Sequence, residues 1–161
     1  MKIVFISGVA GSGKSTVCNY FKSNNMIPNY VIFDIDDLEN VNEYNSDNYI
    51  SFYDNAIRKA ISLASGKDIV LASCINTNDI KSITILNEVA IKTILLTCSN
   101  EELIERLMNR DKERECSNQK FINSQIDYQN WLIANKDSFD YVVDNTNLEV
   151  EDVAFEIINH K

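Results

Sequence analysis

Hydrophobic and polar positions divide the chain into short apolar runs and longer amphipathic stretches. Several of the short runs are almost continuously apolar, among them residues 3–6, 69–72 and 94–96. A strand with one face in water would alternate apolar and polar residues, so these runs predict strands that helices cover on both faces. The predicted strands are residues 2–7, 30–34, 68–73, 92–97 and 141–144.

The amphipathic stretches between these runs predict helices. Between residues 47 and 65, apolar positions recur at steps of three and four, and Gly66 follows as a stop signal. Ser99, followed by Glu102, has the spacing of a capping box at a helix start. Further helices are predicted over residues 15–25, 119–136 and 149–159. This alternation indicates an α/β domain with a five-stranded, mainly parallel sheet, and residues 1–161 are predicted to form one domain.

Glycine is scarce in the chain and concentrated at one place. Of four glycines, Gly8, Gly11 and Gly13 fall within six positions, and with Lys14 and Ser15 they complete the pattern G-x-x-x-x-G-K-[ST] between a predicted strand and a predicted helix. Glycines let backbone N–H groups approach a polyphosphate closely. We expect Lys14 to reach the β- and γ-phosphates and Ser15 to coordinate Mg²⁺. A glycine-rich turn without a ligand would not explain Lys14 or Ser15.

Three carboxylates, Asp34, Asp36 and Asp37, follow the second predicted strand. Ligands bind at this carboxyl edge in open α/β sheets. The carboxylates can hold Mg²⁺ through its waters or accept the proton of a hydroxyl that attacks the γ-phosphate. Strand alternation predicts that Asp34 and Asp36 lie on the same side, and a solvated acidic loop is the alternative.

Two arginines, Arg106 and Arg110, share one face of a predicted helix because they are four residues apart. Alone they would fit a solvated stripe equally well. The helix leads into residues 109–118, which have no apolar periodicity and are the most polar stretch of the chain. Near the end of the chain, Asn147 is interpreted as the N-cap of the last helix.

Together, the glycine-rich loop, the Asp-x-Asp after the second strand and the later arginines resemble the small P-loop kinases. These include adenylate-kinase-like nucleoside monophosphate kinases, shikimate and gluconate kinases, and predicted nucleotide kinases of similar size. The resemblance covers essentially the whole chain and implies a three-layer P-loop NTPase fold with a short lid at about residues 109–118. It implies that Asp36 contacts the phosphoryl-accepting hydroxyl, that Arg106 packs on adenine and that Arg110 meets the phosphates, with Arg114 as a third lid arginine.

The resemblance also implies ATP and Mg²⁺ as cofactors. Many P-loop proteins end the third strand in a metal-binding Asp, which is absent here, so the metal is left to Ser15 and Asp34. The catalytic candidates are Lys14, Asp36, Arg110 and Arg114. The nucleotide-binding candidates are Gly8, Ala10, Gly11, Ser12, Gly13, Lys14, Ser15, Thr16, Arg106 and Arg110.

Charge and composition exclude several partners. The net charge is −9 and no basic run is present, which argues against a long nucleic acid and a polybasic membrane anchor. No apolar stretch approaches the roughly 18 residues of a membrane span, so we expect a cytosolic protein. We expect it to act as a monomer or homodimer. Four cysteines without a CxxC pair and a single histidine predict buried thiols instead of disulfides or a zinc site.

The sequence thus predicts an ATP-dependent phosphotransferase that acts on a nucleoside, a nucleotide or a small polyol. The long helix offers only Arg58 and Lys59 for an acceptor phosphate, so an acceptor without phosphate is at least as well supported. A polynucleotide 5′-hydroxyl kinase is one alternative, against which the net charge argues. A non-catalytic module that binds ATP or GTP as a switch is the other.

Overall fold

The computed structural model describes residues 1–39, 48–110 and 118–161. Most of the predicted lid, including Arg114, lies outside the described residues, as does Cys116. Arg106 and Arg110 are described, and so is the helix that follows the predicted lid.

The described residues form one five-stranded sheet in the order β2-β3-β1-β4-β5. All neighbouring strands are parallel, which confirms the predicted α/β fold class. Because β1 is central, the loop that follows it opens at the middle of the carboxyl edge, between β3 and β4. The strands are β1 (Lys2–Ser7), β2 (Tyr30–Asp34), β3 (Asp68–Ser73), β4 (Ala90–Thr97) and β5 (Tyr141–Asp144).

Helices cover both faces of this sheet. Phe5 and Leu71 pack against the face that carries α3 and α4, whereas Ile6 and Ile94 pack under α1 and α7. Leu95 anchors α5 and α6. None of these helices is long and apolar enough to cross a membrane. The helices are α1 (Lys14–Asn24), α2 (Ile35–Leu38), α3 (Tyr49–Ala64), α4 (Thr77–Ser82), α5 (Asn100–Met108), α6 (Gln119–Ala134) and α7 (Val150–His160), with 3₁₀ turns at Thr84–Glu88 and Lys136–Ser138.

The chain turns into a helix directly after Asp34, which differs from the sequence-based expectation. Asp36 lies in α2, and the Asp34 carboxylate caps this short helix by accepting the Asp36 N–H at 3.3 Å. Strand alternation therefore does not apply to Asp36, although Asp34 and Asp36 line the same cleft. An acidic side chain at a helix N-terminus satisfies an otherwise unpaired N–H group, and this capping ends the strand.

One further expectation was wrong, and one short helix was missed. Asn147 does not cap α7, which begins at Val150 after Glu149; Asn147 instead has a left-handed φ of 56°. The short helix α4 was not predicted, because six residues are too few to show a helical period. It begins where Asn76 accepts the N–H groups of Asn78 and Asp79. The Ser99 cap of α5 is confirmed, since its hydroxyl accepts the Glu102 N–H at 3.2 Å.

The described cysteines fit the predicted buried thiols in part. Cys18 and Cys98 are buried, Cys74 is partly exposed, and none of the three forms a disulfide. Burial raises the pKa of Cys18 to about 12. Cys18 therefore behaves as an apolar side chain of α1 and not as a reactive thiol.

We expect the buried face of α3 to contribute strongly to stability. Ile57 is fully buried between α3 and the sheet. Replacing it with Ala should lower the free energy of unfolding by about 2–5 kcal/mol, because a cavity remains. Leu63, on the same helix, is 56% exposed, and Leu63→Ala should cost about 0.5 kcal/mol or less. Urea unfolding measures both, and equal losses would contradict this assignment of the buried face.

Candidate active site

The loop between β1 and α1 depends on glycine at three positions. Gly11 and Gly13 have φ of 87° and 96°, and Gly13 is the N-cap of α1. A Cβ at Gly8 would lie 2.5 Å from the Leu96 carbonyl oxygen, and one at Gly11 would lie 2.9 Å from Leu103 Cδ1. The loop is thus packed against β4 and α5 on one side. The N–H groups in the first turn of α1 have no intrahelical acceptors.

Lys14 is folded back over this loop. Its Nζ donates to the carbonyl oxygens of Gly8 at 2.9 Å and Val9 at 2.8 Å, and the residue is only 8% exposed. Carbonyl partners hold the ammonium without neutralising its charge. Nearby, the buried hydroxyl of Ser12 has no hydrogen-bond partner within the described residues. A cationic Nζ, an unpaired hydroxyl and helix N–H groups fit the oxygens of a polyphosphate.

Ser15 and Asp34 meet in the structure, as the sequence predicted for a metal site. The Ser15 hydroxyl donates to Asp34 Oδ2 at 2.6 Å. Among the described residues, no group of three or more His, Cys, Asp or Glu side chains could hold a metal. The hydroxyl and the carboxylate fit Mg²⁺, which prefers oxygen ligands and usually takes the remainder from water and substrate phosphates.

A cleft of about 200 Å³ brings Asp36 and Arg110 to the same place as this pair. Arg110 follows the last turn of α5 and is the residue at which the chain leaves toward the predicted lid. Carboxylates and a guanidinium therefore surround one small space beside the phosphate loop. The cleft is lined by Ser15, Cys18, Asn19, Lys22, Asp34, Asp36, Asp37 and Arg110.

A second cleft, of about 530 Å³, opens on the other side of the loop between α5 and the segment that follows β5. Arg106 lines this cleft, where it donates to Asn145 Oδ1 at 3.2 Å and forms an ion pair with Glu102. Its wall combines polar and aliphatic side chains, which suits a planar nucleotide base. The lining residues include Gly11, Gly13, Thr16, Val17, Arg106, Arg110, Asn145, Leu148 and Val150.

Two residues join the phosphate loop to distant elements and were missed by sequence reasoning. Asn145, buried after β5, donates to the Ser12 carbonyl oxygen at 2.8 Å. Gln125, on α6, accepts the Ala10 N–H at 3.0 Å. Neither residue belongs to a motif, and an amide side chain carries no charge or periodicity signal. Only tertiary structure reveals these contacts.

A shallow groove of about 650 Å³ lies between α3 and the α4 region. Both helices begin at the carboxyl edge, since α3 ends three residues before β3 starts and α4 begins just after β3 ends. Burial, together with the nearby Tyr53, Tyr128 and Asp79, raises the pKa of Tyr49. The groove is lined by Tyr49, Ile50, Ser51, Asp54, Arg58, Asp79, Ser82, Ile83 and Thr84.

The sequence model of the family described as AAA domain matches residues 4–130. The chain belongs to this family. The matched region of this AAA domain includes the phosphate loop, Asp34, Arg106, Arg110 and Gln125. No curated protein matches the chain by sequence.

Solved structures share the fold of this AAA domain over nearly its whole length. A sugar kinase from Janibacter sp. HTCC2649 has a TM-score of 0.71 at 14% identity, covering 99% of this chain and 94% of that chain. A Deinococcus radiodurans tunicamycin resistance protein has a TM-score of 0.69 at 17% identity, covering 98% of this chain and 94% of that chain. The Acinetobacter baumannii shikimate kinase, in complex with shikimate, has a TM-score of 0.68 at 16% identity, covering 99% of this chain and 92% of that chain. The fold is that of the small P-loop kinases.

We expect Asn145 to be essential for the shape of the phosphate loop. Asn145→Ala removes two hydrogen bonds and leaves the Ser12 carbonyl without its partner, which should lower the free energy of unfolding by about 1–3 kcal/mol. The control is Asn130→Ala, because Asn130 is exposed on α6. Thermal and urea unfolding measure both variants. Equal stability of the two would contradict this role.

Proposed function

We propose that this AAA domain is an ATP-dependent phosphotransferase that transfers the γ-phosphoryl group to a hydroxyl of a small molecule. The fold of small P-loop kinases supports this function. The observation that carries it is the juxtaposition of Ser15, Asp34, Asp36 and Arg110 around one cleft beside the Lys14 loop. A nucleotide-binding switch would need the loop but no carboxylate pair beside it.

Each group has a defined task in the proposed reaction. Asp36 accepts the proton of the attacking hydroxyl, whose oxygen bonds to the γ-phosphorus while the bond to the β–γ bridging oxygen breaks. Lys14 and Arg110 counter the negative charge on the transferred group and the departing ADP. Ser15 and Asp34 would hold Mg²⁺, which when bound neutralises charge on the β- and γ-phosphates. The products are ADP and the phosphorylated acceptor.

The adenine is proposed to occupy the cleft beside Arg106. A guanidinium stacks on a planar base, and its ion pair with Glu102 suits it to an uncharged ring better than to a phosphate. Asn145 holds the same guanidinium in place. Arg110 reaches both clefts and therefore lies between the base side and the acceptor side of the loop.

The acceptor is proposed to carry no phosphate. The described residues 34–39 and 48–57 contain five Asp and Glu and no Lys or Arg. The next two residues are cations that are already engaged, because Arg58 donates to Asp54 at 2.6 Å and Lys59 donates to the Leu38 carbonyl oxygen. An anionic acceptor would meet repulsion from these carboxylates, whereas hydroxyl groups can bond to them.

An acceptor panel tests this function. ADP release from Mg-ATP is measured with nucleosides and small polyols, each beside its own monophosphate. We expect an unphosphorylated compound to stimulate release at least about tenfold over idle hydrolysis, since orienting a reacting hydroxyl lowers the barrier. Stimulation by monophosphates alone would contradict the acceptor class. Tight ATP binding without stimulation by any acceptor would favour the switch, and salt-dependent binding of oligonucleotides would favour a polynucleotide kinase.

Substitutions of the three aspartates should separate their roles. Asp36→Asn should lower kcat by about 100-fold or more while ATP affinity stays within about twofold, because only the proton acceptor is lost. Asp34→Asn should instead raise the Mg²⁺ concentration needed for half-maximal activity. Asp37 has a 67% exposed side chain about 4.0 Å from Lys22, so Asp37→Asn serves as the control with near-normal kcat. A larger loss of kcat in Asp37→Asn than in Asp36→Asn would refute this assignment.

A further inference from the structure

The hydrogen bond between Ala10 and Gln125 fixes the orientation of one carboxamide next to the phosphate loop. The two residues are 115 positions apart in sequence, and the N–H to Oε1 bond measures 3.0 Å. A backbone N–H can only donate, so the oxygen of the Gln125 side chain must face Ala10. Its Nε2 has only a long 3.4 Å contact to Ser124 Oγ.

Ala10 lies on the limb of the loop that would contact the γ-phosphate. The opposite limb enters α1 and presents helix N–H groups, whereas Lys14 Nζ lies over the carbonyl oxygens of Gly8 and Val9. In loops of this pattern the lysine reaches the β- and γ-phosphates. The segment from Gly8 to Ala10 therefore forms the side of the loop that would face the γ-phosphate, which we call the γ side. Gln125 accepts the N–H group of the last residue of this segment, Ala10.

Helix α6 provides a firm base for this contact. One turn beyond Gln125, Tyr128 donates to the Cys74 carbonyl oxygen after β3 at 2.8 Å. Gln129, which is 1% exposed, donates to the Cys98 carbonyl oxygen after β4 at 3.0 Å. The helix is thus anchored to the ends of both strands that flank β1, and Gln125 extends from it to the phosphate loop.

We propose that Gln125 is a positioning residue for the γ-phosphoryl group. It acts through Ala10 and holds the γ side of the loop in the shape that receives a triphosphate. The carbonyl oxygens that bind Lys14 belong to the same segment and are held with it. A neutral amide performs this task without placing a negative charge near the phosphate. ADP ends at the β-phosphate, so its binding depends on this segment only indirectly, through Lys14. The inference rests on the proposed function in one respect, that a nucleoside triphosphate binds in this loop.

Affinity for a nonhydrolysable ATP analogue, compared with affinity for ADP, tests the proposal without turnover. In Gln125→Met, which keeps the side-chain length, calorimetry with Mg²⁺ should show the Kd of the analogue raised about tenfold, the scale of one hydrogen bond near a charged group. The Kd of ADP should stay within about twofold. Gln125→Glu retains an oxygen for Ala10 but adds a charge, so its melting temperature should match that of the wild type while the analogue still binds more weakly.

Gln129→Met is the matched control. It removes the same chemical group one turn along α6, where it bonds to the β4 end and not to the loop. This variant should melt at a lower temperature with an unchanged ratio of the two Kd values. Equal weakening of both nucleotides in Gln125→Met, or normal analogue binding in both Gln125 variants, would overturn the proposal. If Gln125→Met fails to fold, Gln125→Glu decides alone.

The outcomes also separate this proposal from the proposed function. Wild-type protein that binds neither nucleotide would overturn both. Wild-type protein that binds both but phosphorylates no acceptor would overturn the transferase assignment only, because the ratio of the two Kd values still reports on Gln125.

Discussion

The phosphate loop has to be packed on one side and open on the other, and the rest of the site depends on this constraint. Gly8 lies so close to β4 that any side chain would collide with the Leu96 carbonyl oxygen. Gly11 and Gly13 then turn the backbone through left-handed conformations, which direct N–H groups toward the open side. Close packing at Gly8 and left-handed conformation at Gly11 and Gly13 thus require glycine for two different reasons within one loop.

An acidic chain that binds a polyphosphate must also keep its few cations available. Lys14 is nearly buried, yet its partners are two carbonyl oxygens, so the loop positions the ammonium and leaves its charge uncompensated. Arg106 is arranged differently, because Glu102 and Asn145 both hold it. The paired guanidinium suits a base, and the unpaired ammonium suits phosphates. The local partners therefore fit the two side chains to the two tasks proposed for them, although both carry the same formal charge.

Sequence patterns predicted the parts of the fold that depend on local information. Buried strands appear as continuous apolar runs, and the phosphate loop appears as a spacing of glycines before Lys14 and Ser15. The short helix after Asp34 escaped prediction because one turn shows no period. Asn145 and Gln125 escaped for another reason. Their hydrogen bonds to the loop span 133 and 115 residues, and no local rule indicates which distant amide meets a given backbone group.

The proposal of an acceptor without phosphate has a consequence for specificity. Without an anchored phosphate, the proposed acceptor would be selected by hydrogen bonds alone, each of which contributes only about 0.5–1.5 kcal/mol to affinity. Such a site discriminates chiefly against compounds that leave its polar groups unpaired, a penalty that reaches about 10⁴-fold in well-formed sites. In the groove between α3 and α4, Arg58 already donates to Asp54. If the proposed acceptor displaced Arg58 there, it would have to replace the bonds that it broke, and this requirement would favour a compound with several hydroxyl groups at fixed spacing.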